Sequence, residues 1–123
     1  MAFTYSEALS AARDKLRLNI GDTQESAGPR PDNRNYSDAE LTYILTQEDD
    51  RLNGATAFTF ELLANEWEAF SIQESDSQVS YNAKDKAKDF DARAAIWRKK
   101  PNGSADATQS SGIAIMTRSD AYT

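Results

Sequence analysis

The sequence predicts an all-α fold, a small bundle of about four helices around a central one, and three observations carry that reading. The stretch Gly54 to Phe70, GATAFTFELLANEWEAF, is apolar on two stripes. Ala55, Phe58, Leu62 and Ala69 fall on one, and Phe60, Leu63, Trp67 and Phe70 on another about a third of a turn round. Two stripes need two neighbours, which makes this the central helix. Ala83, Ala87, Phe90, Ala94 and Trp97 recur at alternating steps of four and three, a single helical seam with charges on the other face. Finally, Thr4-Tyr5-Ser6-Glu7 and Ser37-Asp38-Ala39-Glu40 both have the capping-box form that opens a helix.

In order along the chain, the first helix is expected to start at Thr4. Ala8, Leu9, Ala12 and Leu16 form its buried stripe, with Arg13, Asp14, Lys15 and Arg17 outside, and Ile20-Gly21-Asp22-Thr23 ends it. From Thr23 to Tyr36 the chain is polar, with Gly28, Pro29 and Pro31, and reads as a loop that could lie on a neighbouring copy. The helix from Ser37 to about Glu48 buries only Leu41, Ile44 and Leu45. Glu48, Asp49, Asp50 and then Asn53-Gly54 read as the turn into the central helix, with a bent continuous helix as the alternative. After Phe70, the isolated apolar residues Ile72, Val79 and Tyr81 suggest a loop or a short two-stranded excursion over 71–82. The last helix is capped by Asn82 and stopped by Pro101 with Asn102-Gly103.

A helical domain over 1–100 and an extended docking tail over 101–123 follow from this pattern. At 123 residues one core is the expectation. In the tail only Ile113 to Met116 is apolar, too little to repay an ordering cost of about 1 to 2 kcal/mol per residue. It therefore suits docking on a partner, for example as a strand added to a sheet edge.

Composition closes several doors. With no cysteine and no histidine there is no disulfide framework, no thiolate or imidazole zinc site, and no Ser-His-Asp or cysteine nucleophile. No run approaches the roughly 18 apolar residues of a membrane span, and the opening residues lack the charged flank and apolar block of a secretory signal. The net charge of -6 is unevenly spread: -9 over 1–83, +4 over 84–100 and -1 over 101–123. An acidic body with one basic helix is not the usual footprint of a duplex binder. It suits stacking against an acidic face of a neighbouring copy.

The candidate chemistry is thin. Asp49 to Gly54 begins like a calcium loop, but Arg51 stands where an oxygen ligand is needed and Phe60 where the closing carboxylate should be. Asp22 with Glu25, and Glu66 with Glu68, could be acid-base pairs, yet nothing supplies a pocket that would separate their pKa values. Lys84, Lys86, Lys88, Arg93, Arg98, Lys99 and Lys100 could meet nucleic acid, but Asp85, Asp89 and Asp91 interrupt them, as on a solvated face. No catalytic residue, cofactor or metal is expected.

The order of elements carries a resemblance. The turn Leu16-Arg17-Leu18-Asn19-Ile20-Gly21-Asp22-Thr23, a polar loop, the helix start Tyr36-Ser37-Asp38-Ala39-Glu40-Leu41, an Ala-rich aromatic central helix and a terminal amphipathic helix follow one another. Over about Tyr5 to Lys100 this resembles the head-to-tail connector proteins (adaptor, or head-completion proteins) of long-tailed double-stranded-DNA bacteriophages. The chain departs from many relatives in lacking a Gly within Gln73 to Ser80.

The resemblance implies a non-enzymatic virion protein. Its copies would assemble in the host cytoplasm as a dodecameric ring under the portal, at the neck, extend the DNA channel and offer the stopper or tail a platform. It places Arg93, Trp97, Arg98, Lys99, Lys100, Ile113, Ile115 and Met116 in contacts outside the subunit. DNA would pass without sequence-specific contact, and no membrane is involved. On electrostatic grounds an acidic lining lets DNA slide where a basic one would grip it, so Glu48, Asp49, Asp50, Glu74 and Asp76 are the expected channel-facing residues. The alternative is a small helical DNA-binding or regulatory protein using helix 84–100.

Overall fold

The computed structural model describes residues 3–101. These form four α-helices and no strand: α1 (Ala12–Ile20), α2 (Asp38–Gln47), α3 (Leu52–Gln73) and α4 (Ser77–Arg98), with a 3-10 turn at Pro31–Asn33. The tail, with Ile113, Ile115 and Met116, lies from Asn102 on outside the described residues.

The central helix is where the sequence places it, because only α3 touches every other element. Leu16 and Ile20 of α1, Leu41, Ile44 and Leu45 of α2, Ala55, Phe60 and Leu63 of α3 and Ala94 of α4 meet in one core with Tyr36. Leu52, Phe58, Leu62, Phe90 and Trp97 close its edges. Ala69 falls out of the predicted stripe and is exposed, since α2 is too short to cover the far half of α3. Thr56 and Thr59 are fully buried, and each returns its hydroxyl to a carbonyl four residues earlier, Leu52 O and Ala55 O. That satisfies the hydroxyl locally and lets a polar residue face the core.

The seam of α4 is buried at Ala83, Ala87 and Ala94, and Phe90 stacks on Phe60 with ring centroids 5.8 Å apart. The small residues bring the two helices close, and burial of the aromatic pair stabilises the contact by roughly 2 to 3 kcal/mol per ring at full burial.

Three boundaries differ from the sequence reading. First, α1 starts at Ala12, not at Thr4. Thr4 spends both its amide and its hydroxyl on Asp38 at 2.9 and 2.8 Å, and the chain then turns through Leu9 in the left-handed region (φ 56°). The end of α1 is as expected. Gly21 (φ 78°) closes it, its amide bonding Leu18 O while that of Asp22 bonds Arg17 O, a Schellman arrangement that needs the positive φ.

Second, the turn into α3 is Glu48 to Arg51, with Asp49 and Asp50 both left-handed, and Gly54 lies inside the helix. Third, 71–82 is neither loop nor strand pair. The helix α3 runs on to Gln73, and only Glu74, Ser75 and Asp76 connect it to α4. Asp76, not Asn82, is the cap, accepting from the amides of Gln78 and Val79. Those turns bury almost nothing, so they carry no period to read.

The polar stretch 23–36 lies on its own subunit. Trp67 Nε1 donates to Pro29 O at 2.9 Å, and Gly28 sits against the Arg34 carbonyl where a Cβ has no room. The capping box at Ser37 is present in full, Ser37 accepting from the Glu40 amide and Glu40 from that of Ser37.

Candidate functional site

The N-terminal half is held by a buried ionic clasp. Arg17, whose side chain is 0% exposed, donates Nη1 to Asp22 at 2.6 Å, Nη2 to Asp38 at 2.9 Å and Nε to Thr4 O at 2.9 Å. The Phe3 ring covers the guanidinium, with 4.2 Å from its carbon to the ring centre. Asp22 also accepts from Asn35 Nδ2 and, at 3.0 Å, from the Tyr36 amide. Burial opposes the charge on Asp38, but its hydrogen bonds from Arg17 and Thr4 outweigh that and hold its carboxyl below the usual range.

Arg17 thus points inward, contrary to the sequence reading. The signal that places it there is its spacing, three residues before buried Ile20 and four after Arg13 on one face of α1. Asp22 does not pair with Glu25, which is exposed.

A second network joins the loop to α3. Arg30 Nε donates to both Glu66 oxygens at 3.1 and 3.0 Å, Nη1 approaches Glu40 at 3.3 Å, and the guanidinium lies 4.6 Å over Tyr36. Burial works against the Arg30 charge, yet the hydrogen bond and charge of Glu66, helped by Glu40, raise its pKa overall. Tyr36 is pushed up by burial and by the adjacent Glu66 charge. The pKa of Glu40 is lowered: burial is opposed by the Ser37 amide and by Arg30. Glu66 is occupied by Arg30 and Arg34 rather than by Glu68. These arginines fix the carboxylates in place and tie the loop to α2 and α3.

The third cluster draws two of the predicted site residues into contacts within the subunit. Arg98, expected to reach outside the subunit, donates to Glu48 at 3.0 Å and to Glu61 at 3.0 Å. Glu48, expected to face a channel, is 8% exposed and forms the other side of that pair. The Glu61 bond, then the Glu48 bond, raise the Arg98 pKa. Geometry dictates the pairing: α4 runs back along α3, so its last turn arrives beside Glu61 and the C-terminal end of α2.

The remaining predicted residues stay at the surface or the edge of the core. Trp97 is half-buried at the core edge with the Lys100 ammonium 4.6 Å from its ring. Arg93 is exposed and pairs with Asp89 at 2.9 Å. Lys99 and Lys100 are exposed, as are Asp49, Asp50 and Asp76, with Glu74 half-exposed. Asp49 pairs with Arg51 at 3.3 Å. The structure does not gather these residues: Arg93 to Lys100 and the 49–50 turn lie toward one end of the α3–α4 pair, Glu74 and Asp76 at the other. Among the described residues no group of three or more His, Cys, Asp or Glu could hold a metal.

Three surface hollows are shallow. One of about 390 Å³ is lined by loop residues around Arg30 and Asn35, one of about 290 Å³ lies between Pro31, Arg34 and Phe70, and one of about 320 Å³ lies between Tyr43 and Leu62. Large apolar side chains are exposed instead around the α3–α4 connection, where Ile72 is 76%, Tyr81 62% and Val79 38% exposed. They fall in the stretch 71–82, for which the sequence suggests a loop or a short two-stranded excursion. No helix of the described residues is long and apolar enough to cross a membrane.

Comparisons with protein families, with curated proteins and with solved structures find no match.

Proposed function

We propose that this chain is a structural subunit of a phage neck, a head-to-tail adaptor whose copies form a ring, dodecameric in the family it resembles, between the portal and the stopper or tail. The observation that carries this is the exposure of Ile72, Val79 and Tyr81 within ten residues of one another. Exposed large apolar side chains at both ends of one short connection, on more than one face of it, give a neighbouring subunit apolar surface to cover, as Leu18, Tyr43 and Ile96 do elsewhere. The order of helices that grounds the resemblance supports it further. Asp49, Asp50, Glu74 and Asp76 are the acids left to line a channel, where negative charge repels the DNA backbone. Arg93, Trp97, Lys99 and Lys100, with Ile113, Ile115 and Met116, remain the portal-side contacts, and no enzymatic step is assigned.

The test is to mix the purified full chain with portal rings from the same genome and weigh the products by native mass spectrometry. Discrete addition of many copies, weakened by Ile72→Asp, supports the adaptor. Absence of association, with a chain that instead shifts duplex DNA at low salt, overturns it. That outcome would favour the second reading, a DNA-binding helix, for which the exposed Lys84, Lys88 and Lys99, with no ion pair among the described residues, provide the observation.

A further inference from the structure

The hollow between α2 and α3 is lined by Tyr36, Ala39, Glu40, Tyr43, Ile44 and Leu62. Tyr36 and Ile44 form its buried floor, while Tyr43 stands at the rim with 60% of its surface exposed. The polar clusters elsewhere are closed on themselves by hydrogen bonds, whereas this apolar groove has nothing seated in it among the described residues.

The chain supplies an occupant of matching chemistry. Asn53 Nδ2 donates to Pro101 O at 2.8 Å, so the chain leaves the bundle beside the first turn of α3. Leu62 lies nine residues further along that helix, about 14 Å at 1.5 Å per residue. After Pro101 come eleven residues, Asn102 to Gly112, with no large apolar side chain, and then Ile113-Ala114-Ile115-Met116. Eleven residues span up to about 36 Å, more than the path requires. Charge agrees as well. Arg118, two residues past Met116, is the sole basic residue after Lys100, and Glu40, with 46% of its side chain exposed, stands at the rim.

We propose that Ile113 to Met116 seats in the α2–α3 groove of its own subunit, covering Tyr43 and Leu62, with Arg118 facing Glu40. Tethering favours this over capture from solution, because the short connection holds the segment near the groove at high effective concentration. The inference does not rest on the adaptor reading. If that reading also holds, a partner must compete with the groove for the segment.

The chain has no cysteine, so a nitroxide on Ser111→Cys in the otherwise intact, nitrogen-15-labelled protein is unique. The amide signals of Ala39, Tyr43, Ile44 and Leu62 should be lost to paramagnetic broadening, while those of Ser75 and Asp76 at the far end of the hairpin persist. Dilution should not change this. Ile113→Ser with Ile115→Ser should restore the groove signals, and Arg118→Glu should restore them in part. None of these substitutions touches the described bundle. Groove signals that survive the label, or a loss that persists after the isoleucine substitutions, would overturn the proposal. So would a loss that arises when unlabelled nitroxide chain is mixed with nitrogen-15 chain lacking the nitroxide, because the contact would then be between copies.

Discussion

The two halves of this bundle are held together by different physics. The half built from the N-terminal strap, α1, the 23–36 loop and the start of α2 is closed by charge, with a fully buried Arg17 between Asp22 and Asp38 and Arg30 between Glu66 and Glu40. The α3–α4 hairpin is closed chiefly by shape, with Ala83, Ala87 and Ala94 letting Phe90 reach Phe60, and by charge at its last turn, where Arg98 meets Glu61. An apolar seam tolerates small shifts, since each atom contributes little. A buried arginine does not, because losing one of its carboxylates leaves a desolvated charge and its N–H donors only partly satisfied. Position along the chain therefore matters less to a substitution's cost than the kind of contact it breaks.

The largest effect should come from Asp22→Ala, which removes the acceptor of Arg17 Nη1, Asn35 Nδ2 and the Tyr36 amide together and leaves Asp38 as the one carboxylate on the buried guanidinium. A loss of about 3 to 5 kcal/mol in urea unfolding is expected, and a loss under about 1 kcal/mol would mean that water reaches the guanidinium. In the hairpin, Phe90→Ala should cost about 2 to 3 kcal/mol, below the 3 to 5 of a fully buried ring because Phe90 is only half-buried. Equal costs at both sites would erase the contrast.

Acid sharpens it, since the first half carries Asp38 and Glu40, two carboxylates whose pKa is lowered. The folded-state pKa values of Asp38 and Glu40 lie below their unfolded ones. Their contribution is therefore complete above about pH 4, the unfolded carboxylate range, and is lost as pH falls through the lowered values. In thermal melts taken from pH 7 downward, stability should hold to about pH 4 and then drop. Nuclear magnetic resonance should show α1 and the loop loosening before α3 and α4.

Ser37→Ala removes one arm of the capping box and should cost about 1 kcal/mol by the same urea measurement. The smallest effect is expected for Arg93→Ala on the exposed face of α4, under about 0.5 kcal/mol for a solvated pair one turn apart. A larger loss there would mean that copies associate through this face in the sample, which dilution would reveal.

The same division governs what the sequence discloses. Apolar periodicity survives in a single chain, so the central helix, the seam from Ala83 to Trp97 and the core residues Leu41, Ile44 and Leu45 were legible. The Ser37 box and the Gly21 stop were legible too, because their chemistry is local. What escaped depends on partners distant in sequence. Thr4 looks like a cap until Asp38, 34 residues on, takes its hydroxyl. Glu48 and Arg98 look like surface charges until α4 folds back to join them across 50 residues. The helical turns at 71–82 escaped for another reason: exposed turns bury no stripe, and Asp76 as a cap is one acid among several.

The three-residue connection between α3 and α4 has a consequence for biosynthesis. Closing so short a loop costs little entropy, and contacts local in sequence form early. The hairpin is therefore the part best able to fold unaided. A ribosome, however, delivers the chain from its N-terminus, so α1, the loop and α2 emerge before the helix that covers them. Leu16, Ile20, Leu41 and Ile44 are without their wall until α3 follows, and Arg17 stays hydrated meanwhile. Synthesis runs against the folding order that the topology favours, so the N-terminal half waits for α3 before its core residues are covered.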